Sequence, residues 1–285
     1  MAAFNLSLDP AQIEINLKPN AVFTQAYNLT NNSIDTLLLS SSVSAWLPSD
    51  NQGGVVYTDS IDSPLIFSLS NTDLKLGEDF ILRAGQKKQL VLKIINPSVE
   101  KKDYYLTFFI SQKPFTQVQN GHQNLAKIGS HLLITTGQQS SSLSNFHVSK
   151  LNISPIVKDI FIPLTISGEI TNEGQHYSHI NGKLTIYKNK EIISEQALFP
   201  YTVIPTNSRL LHCVNSASEA GPCRLKIPIW PGKYQAIVTL NSNATKYEYP
   251  LSFFVFPYTL TIFILFLFFL LAFVLKKKRN NILPY

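Results

Sequence analysis

The sequence is poor in the residues that most catalytic and metal sites require. It has two cysteines and six histidines in 285 residues, and charged residues make up 15% of the chain. The phosphate-binding, zinc-protease and serine-hydrolase patterns G-x-x-x-x-G-K-S/T, H-E-x-x-H and G-x-S-x-G do not occur. We therefore assign no catalytic, cofactor-binding or metal-binding residue, and we expect a protein that is not an enzyme.

One group of side chains could be interpreted as metal ligands. His176 and His179 lie close together after a predicted strand turn, and Glu173 precedes them. Imidazole and carboxylate groups bind several transition metals. The alternative is a loop whose histidines pack against the edge of a sandwich. We favour the loop, because three ligands on one turn lack the fixed geometry that a metal site needs.

Paired carboxylates are the other chemistry to consider. Asp59 and Asp62 form one neighbouring pair, and Glu78 and Asp79 form another. Such a pair could perform acid–base catalysis only if both members shared a cleft. We interpret them instead as solvated loop charges, the usual place for acidic side chains.

The chain contains one long run without charge. No charged residue occurs from position 250 to position 275. Residues 258–275 would span roughly 27 Å as a helix, close to the ~30 Å hydrocarbon core of a bilayer. The run lacks the polar face that a core helix of a soluble domain would need. It therefore predicts a transmembrane helix over 257–275 in the lipid bilayer, followed by a basic tail over 276–285.

Charge on the two sides of this run predicts its orientation. Lys276, Lys277, Lys278 and Arg279 follow it directly as a stop-transfer cluster, and no acidic residue lies beyond Glu248. Basic residues concentrate on the cytoplasmic side, so we expect the tail inside and the residues before the helix outside the cell membrane. A tail-anchored protein with its bulk in the cytosol is the alternative.

The net charge of +6 comes mostly from this tail. The residues before it include 20 basic and 18 acidic side chains, which is nearly balanced. They show no basic stripe with interleaved aromatic residues, and this excludes a nucleic-acid partner.

An external domain needs an export signal. The first ten residues, MAAFNLSLDP, have neither a charged start nor a long apolar stretch. We expect that the signal has been removed or that the gene start is truncated, and these two explanations stay open.

The two cysteines lie ten positions apart. Cys213 and Cys223 are close in an otherwise cysteine-free exported chain, which favours a disulfide that closes a loop. The alternative is two unpaired small apolar side chains. His212 adjoins the first cysteine, but no C-x-x-C pattern supports zinc.

Asparagine triplets give a weak indication of exposure. N-x-S/T occurs at Asn5, Asn28, Asn31, Asn152 and Asn243. In an Asn- and Ser-rich chain such triplets arise by chance, so we take them only to indicate exposed loops.

Alternating apolar residues and turn signals predict strands from the start of the chain to residue 256. No segment before residue 250 has a helical stripe over three turns. The serine-rich stretch GQQSSSLSN, residues 137–145, predicts a linker. We expect an all-β fold of two immunoglobulin-like antiparallel sandwiches, over 1–136 and 146–256. The predicted strands of the first lie near residues 12–17, 21–30, 36–45, 74–82, 89–96, 104–111 and 132–136. Those of the second lie near residues 160–171, 183–187, 191–199, 208–214, 224–228, 234–240 and 246–256.

A series of short motifs runs through both predicted domains. In order they are LDP with a following P-N turn, N-x-S, I-x-N-P, YYLTFFI, I-T-N-E-G-x-H, N-G-K-L-T-I, P-G-K-Y and F-x-V-F-P before a helix that ends in lysines. This order resembles the WxL-interacting surface proteins of Gram-positive bacteria. More generally it is similar to small bacterial adhesins and to chaperone-like PapD domains. The resemblance implies a peptidoglycan-binding first domain, a partner-binding second domain and a transmembrane anchor, with no catalytic residues.

These observations together predict a bacterial cell-surface adhesion module. It would bind a cell-wall polymer or a surface protein without catalysis, partly through an edge strand near residues 21–30 that accepts a partner strand. The alternatives are a structural or chaperone-like subunit of a surface assembly and, less favoured, an envelope enzyme or metal-dependent lectin.

Overall fold

The computed structural model divides the chain into two compact units, Met1–Ser142 and Leu143–Tyr285. It describes residues 5–58, 61–114, 126–137, 145–159, 162–199, 202–214, 220–221, 223–225, 230–242 and 245–280. The division falls inside the predicted linker, most of which lies outside the described residues.

Strands make up the first unit. Along β3 and β8 the side chains alternate between exposed and buried, as expected of strands with one face on a core. The strands are β1 (Leu6–Asp9), β2 (Gln12–Leu17), β3 (Val22–Asn31), β4 (Leu37–Pro48), β5 (Val55–Thr58), β6 (Ile66–Leu69), β7 (Asp79–Leu82), β8 (Lys87–Ile95), β9 (Asp103–Lys113) and β10 (Lys127–Thr136).

These strands form two sheets. One has the order β1-β3-β8-β6, and the other has the order β2-β10-β9-β4, with β5 and β7 both paired to β4. Their pairing is antiparallel except between β2 and β10. Pro10 stands between β1 and β2, where the chain passes from one sheet to the other. Since proline has no N–H to donate, it fits this break in the ladder.

The core of the first unit lies between its two sheets. Tyr27 and Leu29 of β3 are fully buried, as is Phe108 of β9 on the opposite sheet. The rings of Tyr27 and Phe108 lie 5.0 Å apart between centroids. Burial raises the pKa of Tyr27 to about 12. The first unit is therefore a sandwich with an aromatic contact across its core.

The second unit has thirteen strands in its described part. Most are antiparallel, and the longest hairpin is formed by β22 and β23. The strands are β11 (Phe146–Ser154), β12 (Val157–Lys158), β13 (Leu164–Asn172), β14 (Ser178–His179), β15 (Asn181–Lys188), β16 (Glu191–Phe199), β17 (Thr202–Val203), β18 (Ser208–Leu210), β19 (His212–Val214), β20 (Ala220–Gly221), β21 (Cys223–Leu225), β22 (Gly232–Ser242) and β23 (Thr245–Val255).

Two larger sheets enclose the second core. One has the order β11-β13-β18 with β21 also paired to β13, and the other has the order β12-β23-β22-β15-β16-β19-β20. A short pair, β14 and β17, stands apart. Tyr234 and Phe253 stack inside the core with ring centroids 5.4 Å apart. The predicted fold class is thus confirmed: two immunoglobulin-like sandwiches followed by one helix.

The helix α1 (Tyr258–Asn280) begins three residues after β23 ends. Its segment Tyr258–Lys276 has a mean hydropathy of 2.7 and is not buried against the protein. By length and composition it can cross a membrane. The helix extends beyond the predicted end at residue 275, because the lysines after the apolar run are themselves good helix formers.

Three predictions about individual strands are wrong. The strand expected over 208–214 is two strands, β18 and β19, which belong to different sheets. The strand expected near residues 21–30 is not an edge, because β3 pairs with β1 on one side and β8 on the other. The strand expected over 74–82 is only β7, because Leu76 and Gly77 form a turn before it. The short strands β1, β5 and β6 were not predicted.

Buried asparagines end a long strand in each unit. Asn31 at the end of β3 is fully buried, so the exposure expected at its N-x-S triplet is wrong. Its Nδ2 donates to the carbonyl oxygens of Asp35 and Leu82 at 2.8 and 3.1 Å, and its Oδ1 accepts from Ser33 N. Asn172 at the end of β13 donates similarly to carbonyl oxygens. Each amide donates one hydrogen bond to a carbonyl of the loop after its strand and one to a buried carbonyl of a distant strand, Leu82 or Val203. Buried carbonyls are normally hydrogen-bonded in this way.

We predict that Asn31→Ala destabilises the first unit. The substitution removes the donor to the buried carbonyl of Leu82 and to the carbonyls of Asp35 and Arg83, at a cost of about 2–3 kcal/mol in the free energy of unfolding. Chemical denaturation of the detergent-solubilised chain measures this. Asn28→Ala is the matched control, because Asn28 lies on the same strand with an exposed side chain. Equal stability of the two variants would contradict the role given to Asn31.

Candidate functional site

Where the structure describes them, the residues considered for catalysis or metal binding do not assemble into a cluster. Among the described residues, no three His, Cys, Asp or Glu side chains are placed to hold a metal ion. His179 Nδ1 lies 3.1 Å from Thr202 Oγ1, and its ring packs edge-on against Tyr177. His179 is the last residue of the short strand β14.

The carboxylate pair of Glu78 and Asp79 lies at the surface of the first unit. Glu78 faces Lys75 at 3.5 Å, with both side chains exposed. Asp79 begins β7 with an exposed side chain, while Asp59 lies outside the described residues. With both side chains open to solvent, Glu78 and Asp79 do not share a cleft in which one could act as acid and the other as base.

The structure brings the two cysteines together inside the second core. Cys213 on β19 and Cys223 on β21 are both fully buried, with Cα atoms 4.7 Å apart and Sγ atoms at bonding distance. Because β19 and β21 belong to different sheets, the pair joins the two layers of this sandwich.

Sheet edges are the places where a sandwich can accept another chain, and several edges here are protected. On the edge strand β11 the pairing shifts between Ser149 and Asn152, and Lys150 between them has φ 54°. Lys150 Nζ also lies 2.8 Å from Glu169 Oε2. On the edge strand β2, Gln12 and Glu14 are exposed. Bulges and charged side chains of this kind oppose the addition of another strand.

The edge strand β5 carries no such protection. Its sequence, VVYT, has no charge, and among the described residues it pairs only with β4. Val56 is 56% exposed, its partner Leu47 is 59% exposed, and Tyr57 is 42% exposed. The other uncharged edge strand in the described part of the first unit, β6, exposes one large apolar side chain, Ile66. β5 is therefore the more apolar open edge.

The register of β4 and β5 shows which main-chain groups point outward. Ser49 N donates to Gly54 O at 2.9 Å, so the next pair, Pro48 and Val55, is of the non-hydrogen-bonded kind. Proline without an N–H fits that position. The pattern then alternates, and the N–H and C=O groups of Val55 and Tyr57 point away from β4. They form a short row of donors and acceptors that a partner strand could use.

A different constellation surrounds the point where the second unit meets the helix. Thr259 N, in the first turn of α1, donates to Asp159 Oδ2 at 2.8 Å, and Asp159 is fully buried. The neighbouring Lys158 is also buried, and burial lowers its pKa. A carboxylate at a helix N-terminus satisfies an unpaired N–H and complements the helix dipole. Asp159 therefore ties the helix to the strand β12.

A shallow cavity opens on the outer face of the seven-stranded sheet of the second unit. Its volume is about 490 Å³. The register places Tyr187, Gln235 and Ser252 side by side across β15, β22 and β23. Lys190 and Lys233 also line it, so its charged groups are cationic. Such a lining suits an anion rather than a metal ion.

No family model and no curated relative matches the chain. Solved structures with a similar arrangement include the class 5 fimbriae chaperone CfaA, at 11% identity and TM-score 0.43 over 89% of this chain and 100% of that one. The E. coli chaperone DraB has 14% identity and TM-score 0.37 over 87% and 99%. The CsuC–CsuE chaperone–tip adhesion subunit complex of Acinetobacter baumannii has 10% identity and TM-score 0.39 over 88% and 98%. At such low similarity these matches say nothing of partner or activity.

Sequence reasoning predicted neither the open edge of β5 nor the contact of Asp159 with the helix. The triplet Val55, Val56 and Tyr57 after Gly53-Gly54 is a signal for a short strand, since β-branched and aromatic residues follow a turn. Nothing local indicates that this strand is an edge, because edge position depends on which strands pair. Asp159 has no local signal either, because its partner Thr259 lies 100 positions away.

We predict a disulfide between Cys213 and Cys223. Mass spectrometry of the unreduced chain should find the linked peptide two hydrogens lighter than its reduced form. Because the closed loop is short, reduction should cost about 2–3 kcal/mol of stability. Two thiols that alkylate freely in the folded, unreduced protein would contradict the bond.

Proposed function

We propose that this chain is a non-catalytic binding protein of the bacterial cell surface, anchored in the membrane by α1. Its long apolar helix follows directly on the second sandwich, and the cluster Lys276–Arg279 follows the apolar run. Positive charge after the helix supports a cytoplasmic tail and two external units. The chain thereby presents the first unit at the surface.

The observation that carries the binding role is the unprotected edge of β5. Soluble sandwiches normally blunt an open edge, as β2 and β11 do here. An edge that keeps outward main-chain groups at Val55 and Tyr57, with apolar side chains beside them, suits an extended segment of another protein. The partner we propose is therefore a surface protein that adds one strand to β5.

A chaperone-like or structural subunit of a surface assembly is the second candidate. The same edge favours it, because a subunit could receive a strand of a neighbouring subunit in the same way. The two candidates differ in the partner. A binding protein would capture a separate surface protein, whereas a chaperone-like or structural subunit would capture another subunit of its own assembly. A cell-wall polymer as ligand, and membership of the WxL-interacting family, stay proposals.

The test is photo-crosslinking on intact cells, with a photoreactive residue in place of Val56. Two variants of this protein are compared. Val55→Pro removes the outward main-chain N–H of residue 55, while Val55→Thr keeps that N–H and has a side chain of similar shape to valine. A main-chain hydrogen bond worth ~1 kcal/mol predicts that Val55→Pro lowers the yield of crosslinked partner about 5-fold. Val55→Thr should leave the yield unchanged.

Thermal unfolding of the crosslinker protein and of its Val55→Pro and Val55→Thr variants is the control for folding. The proline variant must unfold near the temperature of the threonine variant for the comparison to hold. If it does and both give the same yield, or if only glycan is captured at Val56, strand addition at β5 is wrong. If instead the proline variant alone loses the crosslink, the identity of the captured protein distinguishes the surface-protein partner from a subunit of the same assembly.

A further inference from the structure

Exposed apolar side chains surround the point where the chain leaves the second sandwich. Val157 on β12 pairs with Phe254 on β23, and Phe254 pairs with Lys233 on β22, so these three side chains form one row on the outer face of the sheet. Trp230, two residues before β22, is 73% exposed, and Ile156, directly before β12, is 67% exposed. This is the largest concentration of exposed apolar groups among the described residues of the second unit outside the helix.

Lysines occupy the same end of this unit. The turn between β15 and β16 is Lys188-Asn189-Lys190, and the pairing of Tyr187 with Gln235 places it beside the start of β22. Lys233 lies in the row just described. Glu191 is the one acidic residue next to this turn, so the lysines leave a net positive charge. Asp159 and Lys158 are buried at the helix junction.

The helix begins very near these groups. Phe254 of the row lies four residues before Tyr258, which begins α1, so at most ~14 Å of chain separates the row from the helix. The headgroup layer on each side of a bilayer is about 5–8 Å thick. The first turn of α1 includes Tyr258, Thr259 and Thr261, which also suit the interface. Because the hydrogen bond from Thr259 holds the start of α1 against Asp159, directly after β12, the row and Trp230 can reach the headgroups once the helix is inserted.

We infer that this end of the second unit is a lipid-docking surface, which seats the sandwich on the outer headgroup layer of the bilayer that its own helix spans. The inference rests on the membrane anchoring proposed above. Trp230, Phe254 and Ile156 enter the interface, where amphipathic rings are favourable. Lys190 and Lys233 contact the phosphates of anionic phospholipids. The hydrogen bond from Thr259 to Asp159 holds helix and sandwich together in this position.

The chain offers a direct spectroscopic test because it has only two tryptophans. The other tryptophan, Trp46, is buried in the first unit, where its Nε1 donates to Leu106 O. Subtracting the emission spectrum of the Trp230→Phe variant from that of the unsubstituted chain therefore gives the emission of Trp230 alone. The full chain is reconstituted into vesicles of phosphatidylcholine, with or without phosphatidylglycerol, carrying brominated acyl chains. We expect the emission of Trp230 to be quenched, and more strongly with the anionic lipid. Emission open to aqueous acrylamide and unaffected by brominated lipid would overturn the inference.

Charge variants test the lysines. In anionic vesicles, Lys190→Gln with Lys233→Gln should reduce the ratio of lipid-bound to unbound second units about 5-fold per lysine. The quenching of Trp230 should then no longer differ between the two lipid compositions. Lys188 is left intact because its Nζ donates to Pro231 O. Lys87→Gln with Lys101→Gln, both exposed in the first unit, is the matched control. If both double variants behave alike, the lysines do not bind lipid.

Flotation of the vesicles separates this inference from the anchoring on which it rests. A chain that floats with the vesicles but shows no quenching of Trp230 is anchored without a seated sandwich. A chain that does not float refutes the anchoring itself, and the docking surface with it.

Discussion

The pairing of β22 with β23 is the interaction on which the second unit and its link to the membrane depend. Eleven residue pairs run without a break from Ser242 and Thr245 to Gly232 and Val255. The hairpin carries the stacked pair of Tyr234 and Phe253 in its core face. Its last strand then continues into α1, so any force on the helix is transmitted to the ladder. The buried carboxylate of Asp159 closes this junction from the neighbouring strand.

Two surfaces, one in each unit, are specialised in opposite ways. At the helix junction, polar groups are satisfied internally, while apolar side chains and lysines stay exposed. On β5 of the first unit, it is the main chain that is left available. Exposed apolar surface and open sheet edges both carry a risk of aggregation, and a protein keeps them where a partner covers them. A bilayer is the natural cover for the first and an extended protein segment for the second.

The sequence allowed the long strands and the helix to be predicted, because their patterns are local. Alternation over nine or more residues identifies β8, β22 and β23, and a charge-free run of helix length identifies α1. Strands of four residues, such as β5 and β6, give too few alternations to distinguish them from loops. Whether β3 is central or an edge depends in part on β8, whose residues pair with those of β3 from 57 to 73 positions away. The buried position of Asn31 likewise follows from the loop that folds over it.

The central claim is that both sandwiches lie outside the membrane that α1 spans, and protease accessibility on intact spheroplasts tests it most directly. Protease added from outside should digest both units and leave a short membrane fragment that contains α1 and the basic cluster Lys276–Arg279. A cytoplasmic protein probed in the same cells should stay whole. Complete protection of the chain until the spheroplasts are lysed would place the sandwiches inside and contradict the account.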